Sequence, residues 1–172
     1  MIELGHHDGS WQRLQDDWAK QCGDFGEEFS RYMPATLPLL ADQIEICSGE
    51  KWNGVYGIQG TDGTLDAVAF VNCSFIPGFK ERVMRVRNLI LAPRYDFGDY
   101  SEDEYALLLT EVFESVLELS EGPLPCPHVK VHFRSPADVA LFREFSEELA
   151  HYEHFSDIKM VGSWLFISKV LN

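Results

Sequence analysis

The chain has 172 residues, of which 45% are hydrophobic, 13% aromatic and 24% charged. At about 100–200 residues per domain, that length predicts one domain over residues 1–172, and the composition excludes the low-hydrophobicity, high-charge regime of disorder. Fourteen basic residues against twenty-eight acidic ones leave a net charge of −14, a field that disfavours nucleic acid and anionic membrane as partners.

Met1 to Asp8 lacks the basic and apolar regions of a signal peptide, and no apolar run approaches the ~18 residues of a membrane span. A soluble cytoplasmic protein is therefore expected. Ile2 to Leu4 reads as a short leading strand. Trp11, Leu14, Trp18, Cys22, Phe25 and Phe29 recur at steps of three and four behind Ser10, which is placed to cap. They predict an amphipathic helix from about Ser10 to Tyr32 that Gly23 and Gly26 can split. The expected role of Trp11, Trp18 and Phe25 is core packing, with a seat for a partner as the alternative. Pro34 and Pro38 punctuate the chain, and Leu39, Leu40, Ile44 and Cys47 predict a second, shorter helix ended by Gly49. Asn53 to Gln59 and Leu65 to Phe75 read as an antiparallel hairpin about Thr61-Asp62-Gly63-Thr64. After Ile76-Pro77-Gly78-Phe79, a third strand is expected over Arg82 to Ala92, with its wholly apolar second half central in the sheet.

Ser101 and Glu104 form a capping box ahead of Tyr105, Leu108, Leu109, Val112, Phe113, Val116 and Leu117, predicting a helix from about Glu102 to Leu119 that Gly122-Pro123 ends. Val129, Val131 and Phe133 alternate with Lys130 and His132 in a strand placed near 128–134. Ser135-Pro136 with Asp138 then starts a helix striped by Val139, Leu141, Phe142, Phe145 and Leu149. Strands at 158–161 and 164–170 close the chain around Gly162. The fold class is therefore α/β (α+β), a mixed, mostly antiparallel sheet flanked by helices.

This order of elements resembles the GNAT acetyltransferase superfamily. Leu89-Ile90-Leu91-Ala92-Pro93 ahead of a capped helix resembles the end of the superfamily's central strand, and Ser135-Pro136-Ala137-Asp138-Val139-Ala140-Leu141-Phe142 resembles the later segment that opens the next helix. The resemblance implies acyl transfer from acetyl-CoA or another acyl-CoA to an amine by direct attack. It also implies that the backbone of Leu89, Ile90, Leu91 and Ala92 pairs with the pantetheine arm. The diphosphate would lie on the loop of Arg94, Gly98, Asp99, Tyr100 and Ser101 at the helix start.

The residues depart from the superfamily's pattern in three places. The loop Arg94-Tyr95-Asp96-Phe97-Gly98-Asp99-Tyr100 has one glycine and one cation, and Asp96, Asp99, Glu102, Asp103 and Glu104 surround it. Those carboxylates repel a diphosphate, and compensation of the helix dipole is their alternative role. Phe142 stands where the resemblance implies a proton-donating tyrosine, leaving Tyr95, Tyr100, Cys73 and Cys126 as substitutes and the catalytic residue unassigned. Arg85 and Arg87 flank Val86 and share one strand face, near where the superfamily often carries an acidic residue. Two guanidinium groups suit an anionic substrate, and the alternative is pairing with the chain's surplus carboxylates.

The four cysteines show no C-x-x-C pair and read as buried small hydrophobes. His128 with His132 and His151 with His154 have no supporting ligand spacing, so no metal is expected. Gly-x-Ser-x-Gly, Walker and Gly-x-Gly-x-x-Gly motifs are absent. The implied partner is a small-molecule or acyl-CoA ligand, and a homodimer is compatible with this reading. The second reading is a catalytically degenerate binding module using the same cleft. Transfer from an acidic carrier protein is a third, disfavoured by the net charge of −14.

Overall fold

The computed structural model describes residues 1–32, 36–60 and 63–170. Pro34 and the Thr61-Asp62 half of the expected turn lie outside the described residues. Strand β1 (Ile2–Leu4) leads into α1 (Ser10–Asp24), α2 (Phe29–Tyr32) and α3 (Thr36–Ile46). The hairpin β2 (Asn53–Gln59) and β3 (Leu65–Phe75) has the expected bounds, and β4 (Arg82–Leu91) follows. Then come α4 (Pro93–Phe97), α5 (Glu102–Glu121), β5 (His128–His132), α6 (Pro136–Leu149), β6 (Phe155–Val161) and β7 (Trp164–Lys169).

The seven strands form one sheet in the order β1-β2-β3-β4-β5-β7-β6. Only β4 and β5 pair in parallel; the other neighbours are antiparallel. This is the mixed, helix-flanked sheet that the sequence predicts, and the fold is GNAT-like. Each face buries its own core. On one, Val71, Met84, Val86, Val129, Val131 and Leu165 pack with Leu109, Phe113 and Val116 of α5 and Phe142 of α6. On the other, Leu4, Val55, Val68 and Phe70 meet Trp11, Leu14 and Trp18 of α1 and Leu37, Leu40 and Ile44 of α3. Burial of side chains this large stabilises by about 1.5–3 kcal/mol each. Trp18 keeps its one polar atom satisfied, donating from Nε1 to the Leu65 carbonyl at 2.8 Å. Of the three N-terminal aromatic anchors, Trp11 and Trp18 are core, whereas Phe25 is 45% exposed and leans on Phe97.

Four local expectations are corrected, and one is met. Ser10 does not cap α1: Gly9 holds that position at φ 72°, a conformation that costs glycine no Cβ clash, and the Ser10 hydroxyl turns inward to donate to Asp8 and accept from Gly5 N–H, both at 2.7 Å. The N-terminal helix is split as its glycines allow: α1 stops at Asp24, and Gly26 at φ 75° separates it from α2. The Arg94–Tyr100 loop is partly helical, because Pro93 at the first turn pre-sets φ and Ala92 becomes the cap of α4 rather than the strand end. The apolar half of β4 is not its central half: β5 flanks only Val83–Val86, and Leu89, Ile90 and Leu91 are half-buried. Finally, β6 begins at Phe155 rather than Ile158, drawn into pairing with Lys169 despite the weak strand propensity of Ser156 and Asp157.

Candidate functional site: a forked pair of strands

Parallel pairing between β4 and β5 runs from Val83 opposite His128 to Val86 opposite Val131 and stops. Beyond it β4 continues for five residues, and β5 ends at His132. A bulge accompanies the split: Asn88 and Leu89 together oppose Ala69, with Asn88 at φ 55°. Past the bulge, Ala92 N–H donates to the Asp66 carbonyl on the β3 side at 2.8 Å. Alternation along the strand therefore turns the N–H and C=O of Leu89 and Leu91 away from β3, into the gap left by β5. The Leu91 carbonyl already accepts the Tyr32 hydroxyl at 3.0 Å. Burial, then the neighbouring Asp96, push that hydroxyl well above its ordinary pKa, so it stays a donor.

The helices that follow the two diverging strands are tied together. Tyr105 in the first turn of α5 donates to Asp138 Oδ1 in the first turn of α6 at 3.0 Å. Burial raises the Asp138 carboxyl above its usual range, against the hydrogen bonds from Tyr105 and Ser135 that pull it down.

The expected diphosphate loop is occupied by the chain's own groups. Ser101 Oγ accepts Glu104 N–H at 3.3 Å, while the Glu104 carboxylate accepts Ser101 N–H at 2.8 Å. Those bonds hold the Glu104 carboxyl below its ordinary pKa. Arg94 is paired with Asp66, which sits at a bulge in β3 and whose side chain is 4% exposed. Gly98 passes so close to the Arg94 carbonyl that a Cβ would lie 2.5 Å from it, and Tyr100 packs on Tyr95 with ring centroids 4.8 Å apart. Asp66, Arg94, Tyr95, Tyr100 and Glu104 border a cleft of about 200 Å³. Asp99 is exposed beside it. Phe142 stacks on Phe133 at 4.3 Å and is buried, a core residue.

Arg85 and Arg87 do share a face, and they are not neutralised there. Arg85 Nη2 donates to Asn72 Oδ1 and, at 2.9 Å, to Ser74 Oγ, while Arg87 lies over the Phe70 ring at 5.4 Å and bonds to no described residue. The Nε atoms of both are buried without a hydrogen-bond partner among the described residues. Sheet register brings Lys130 opposite Arg85, and His132 follows Val131 just where pairing with β4 ends. Burial, then Arg134 and Arg87, hold the His132 imidazole below its ordinary pKa of 6.5, so it is neutral at pH 7. Burial and Arg85 lower Lys130 as well. The sequence singled out the two arginines; it did not single out Lys130, Asp66 or Tyr105, and it treated His132 only as a metal candidate. His128 is held by Ser168 at 2.9 Å, and His151 and His154 are exposed. All four cysteines are buried and unpaired by disulfides. No helix among the described residues is long and apolar enough to cross a membrane.

No family model and no curated protein matches the chain. Among solved structures, a candidate acetyltransferase from Exiguobacterium sp. 255-15 is similar at 15% identity over 98% of this chain and 91% of that one, with a TM-score of 0.43. A tetramutant of the BH1408 protein from Bacillus halodurans is 12% identical over 94% of this chain and 99% of its own, at 0.41. FeeM, an N-acyl amino acid synthase from uncultured soil microbes, is 12% identical over 78% and 87%, at 0.32. Likenesses this distant leave the assignment resting on strand order and the β4–β5 fork, which define a GNAT-like α/β protein.

Proposed function

We propose that the protein is an acyltransferase that takes an acyl group from a thioester lying in the β4–β5 fork and passes it to an amine. The observation carrying this reading is the loss of β4–β5 pairing after Val86 and Val131, which leaves the N–H and C=O of Leu89 and the N–H of Leu91 facing the gap, the Leu91 carbonyl being taken by Tyr32. Unpaired strand groups need partners, and the amides of a pantetheine-like arm supply them in alternation. An acceptor entering beside the fork meets neutral His132, which takes one proton from the ammonium form. The freed amine then attacks the thioester carbonyl, the C–N bond forms, the C–S bond breaks, and the second amine proton reaches the departing thiolate.

The residues present suit the arm of coenzyme A better than its diphosphate. Asp96, Asp99 and Glu104 repel phosphate at the start of α5, and Arg94 is engaged by Asp66. That same observation favours the second reading, a module that binds a ligand at the fork without transfer. Calorimetric titration with acetyl-CoA, longer acyl-CoAs and acyl-pantetheine separates the two. Binding of thioesters followed by amide formation supports transfer. The absence of heat from every thioester at millimolar concentration leaves the binding module standing.

A further inference from the structure

One register row crosses six strands on the face that carries Arg85. It runs Asn53 on β2, Asn72 on β3, Arg85 on β4, Lys130 on β5, Phe166 on β7 and Lys159 on β6. No member of the row is acidic, in a chain with twice as many acidic as basic residues. Arg87 and His132 sit one pleat further along, at the fork. Two carboxylates toward the β5–β6 end of this face are already engaged: Glu81 lies 3.5 Å from His128, and Asp157 is paired with Lys159. Lys130 has no carboxylate among the described residues and lies over the rings of Phe166 at 4.3 Å and Phe79 at 5.1 Å. His132 packs on Trp164 at 4.7 Å. Every one of Arg85, Arg87, Lys130, His132, Phe79, Trp164 and Phe166 is half-buried, so the groups are sheltered but reachable.

Gathering like charges in a partly desolvated strip costs free energy, and an anion bound between them removes that cost. Arg85 is positioned by Asn72 and Ser74, which leaves Arg87 and Lys130 free to move onto a ligand. The aromatic rings beside them favour a ligand with an apolar part next to its anionic group.

We propose that this face binds a free amino acid with an apolar side chain, its carboxylate held by Arg87 and Lys130 and its side chain against Phe79 and Phe166. The inference names the acceptor class of the acyl-transfer reading and rests on that reading for the acceptor role, but binding itself needs no thioester. In the fork, the carboxylate clamp would leave the α-amine beside His132.

The test is titration of the full chain, without any acyl donor, with L-phenylalanine, L-phenylalaninamide and inorganic phosphate, followed by calorimetry and by the His132 imidazole resonances. The expected result is at least tenfold tighter binding of the acid than of the amide, with the preference lost in Arg87→Met and Lys130→Met and restored in part by Arg87→Lys. Circular dichroism confirms that each variant is folded. Equal affinity for acid and amide overturns the proposal. So does a preference that survives Arg87→Met, or saturation by phosphate alone. A dimer that forms with concentration and dissolves in Arg87→Met also overturns it, by assigning the face to a second, acidic copy of the chain. If the acid binds as expected and adding acyl-pantetheine yields no amide, the site stands and the transferase reading falls.

Discussion

Two places in this molecule invite an anion, and they differ in whether the chain has already supplied one. At the start of α5 the backbone N–H groups and the helix dipole attract negative charge, but Glu104 fills the position and Asp66 takes the nearby guanidinium. On the sheet face near the fork, Arg87 and Lys130 carry full charges and have no carboxylate among the described residues. The pair teaches that a helix start flagged by position in the chain can be self-satisfied, while an open site arises where register alone stacks cations from strands far apart in sequence.

Stability should separate the two arginines most sharply. Arg94→Met takes the guanidinium away from Asp66, whose side chain is 4% exposed, and should cost about 3–5 kcal/mol in urea unfolding. Arg87→Met removes a cation that has no carboxylate partner among the described residues and only the Phe70 ring beneath it, and should change stability by less than about 1 kcal/mol. Equal losses in the two variants would break the comparison. A smaller effect, about 1–3 kcal/mol, is expected of Tyr105→Phe, which takes the hydroxyl donor from the half-buried Asp138 carboxylate. Burial raises the folded pKa of Asp138 above its unfolded value of 3.8, so the folded state binds that proton more tightly. Asp138 therefore weakens the fold as pH rises through the window just above 3.8, and unfolding curves should show a steeper loss there in Tyr105→Phe and none in Asp138→Asn.

The pH profile of amide formation probes the fork itself. If His132, held below 6.5, is the base of the proposed transfer, the acid limb of the profile should lie below that value. Arg87→Met removes a positive neighbour and should move the limb up by less than about one pH unit, the scale of a screened charge interaction. An unmoved limb would assign the proton to another group. The smallest effect belongs to the occupied site: replacing Asp96 and Asp99 with asparagine should tighten acyl-CoA binding by about two- to fivefold, and more at low ionic strength. Weaker binding in that double variant would mean that the phosphates lie elsewhere.

The elements that carried their own punctuation were legible in the sequence. The strand-forming runs on either side of the Thr61-Asp62-Gly63-Thr64 turn signal marked the bounds of β2 and β3, and Ser101 with Glu104 marked the first turn of α5. Arg85 and Arg87 were legible as sharing a face because strand parity is local. Lys130 was not legible beside them, since Arg85 and Lys130 are far apart in sequence and meet only through the β4–β5 register. Asp66 was hidden for a different reason: its burial depends on a bulge in β3 that no spacing rule marks. The capping role given to Ser10 failed because a glycine with left-handed backbone preceded it, and the neighbouring Asp8 supplied the carboxylate instead.

The extra residue at Asn88 does more than accompany the split between strands. Ahead of it, Met84 and Val86 face α5 while Arg85 and Arg87 face the opposite way; after it, Leu89 and Leu91 face α5 while Ile90 packs with α1 and α3. The strand has changed phase by half a pleat. One continuous β4 can thus present arginines on a face beside the fork and an isoleucine on that same face one turn of the ladder later. Flattening the bulge with Asn88 retained would restore strict alternation along the full strand and drive Leu89 and Leu91 onto the α1 side and Ile90 toward α5, exchanging two cores at once, whereas deleting Asn88 removes the extra residue and leaves those faces unchanged. Asn88→Gly, which tolerates φ 55° better than asparagine does, should leave that phase intact, whereas Asn88→Val should press the strand toward the wrong one.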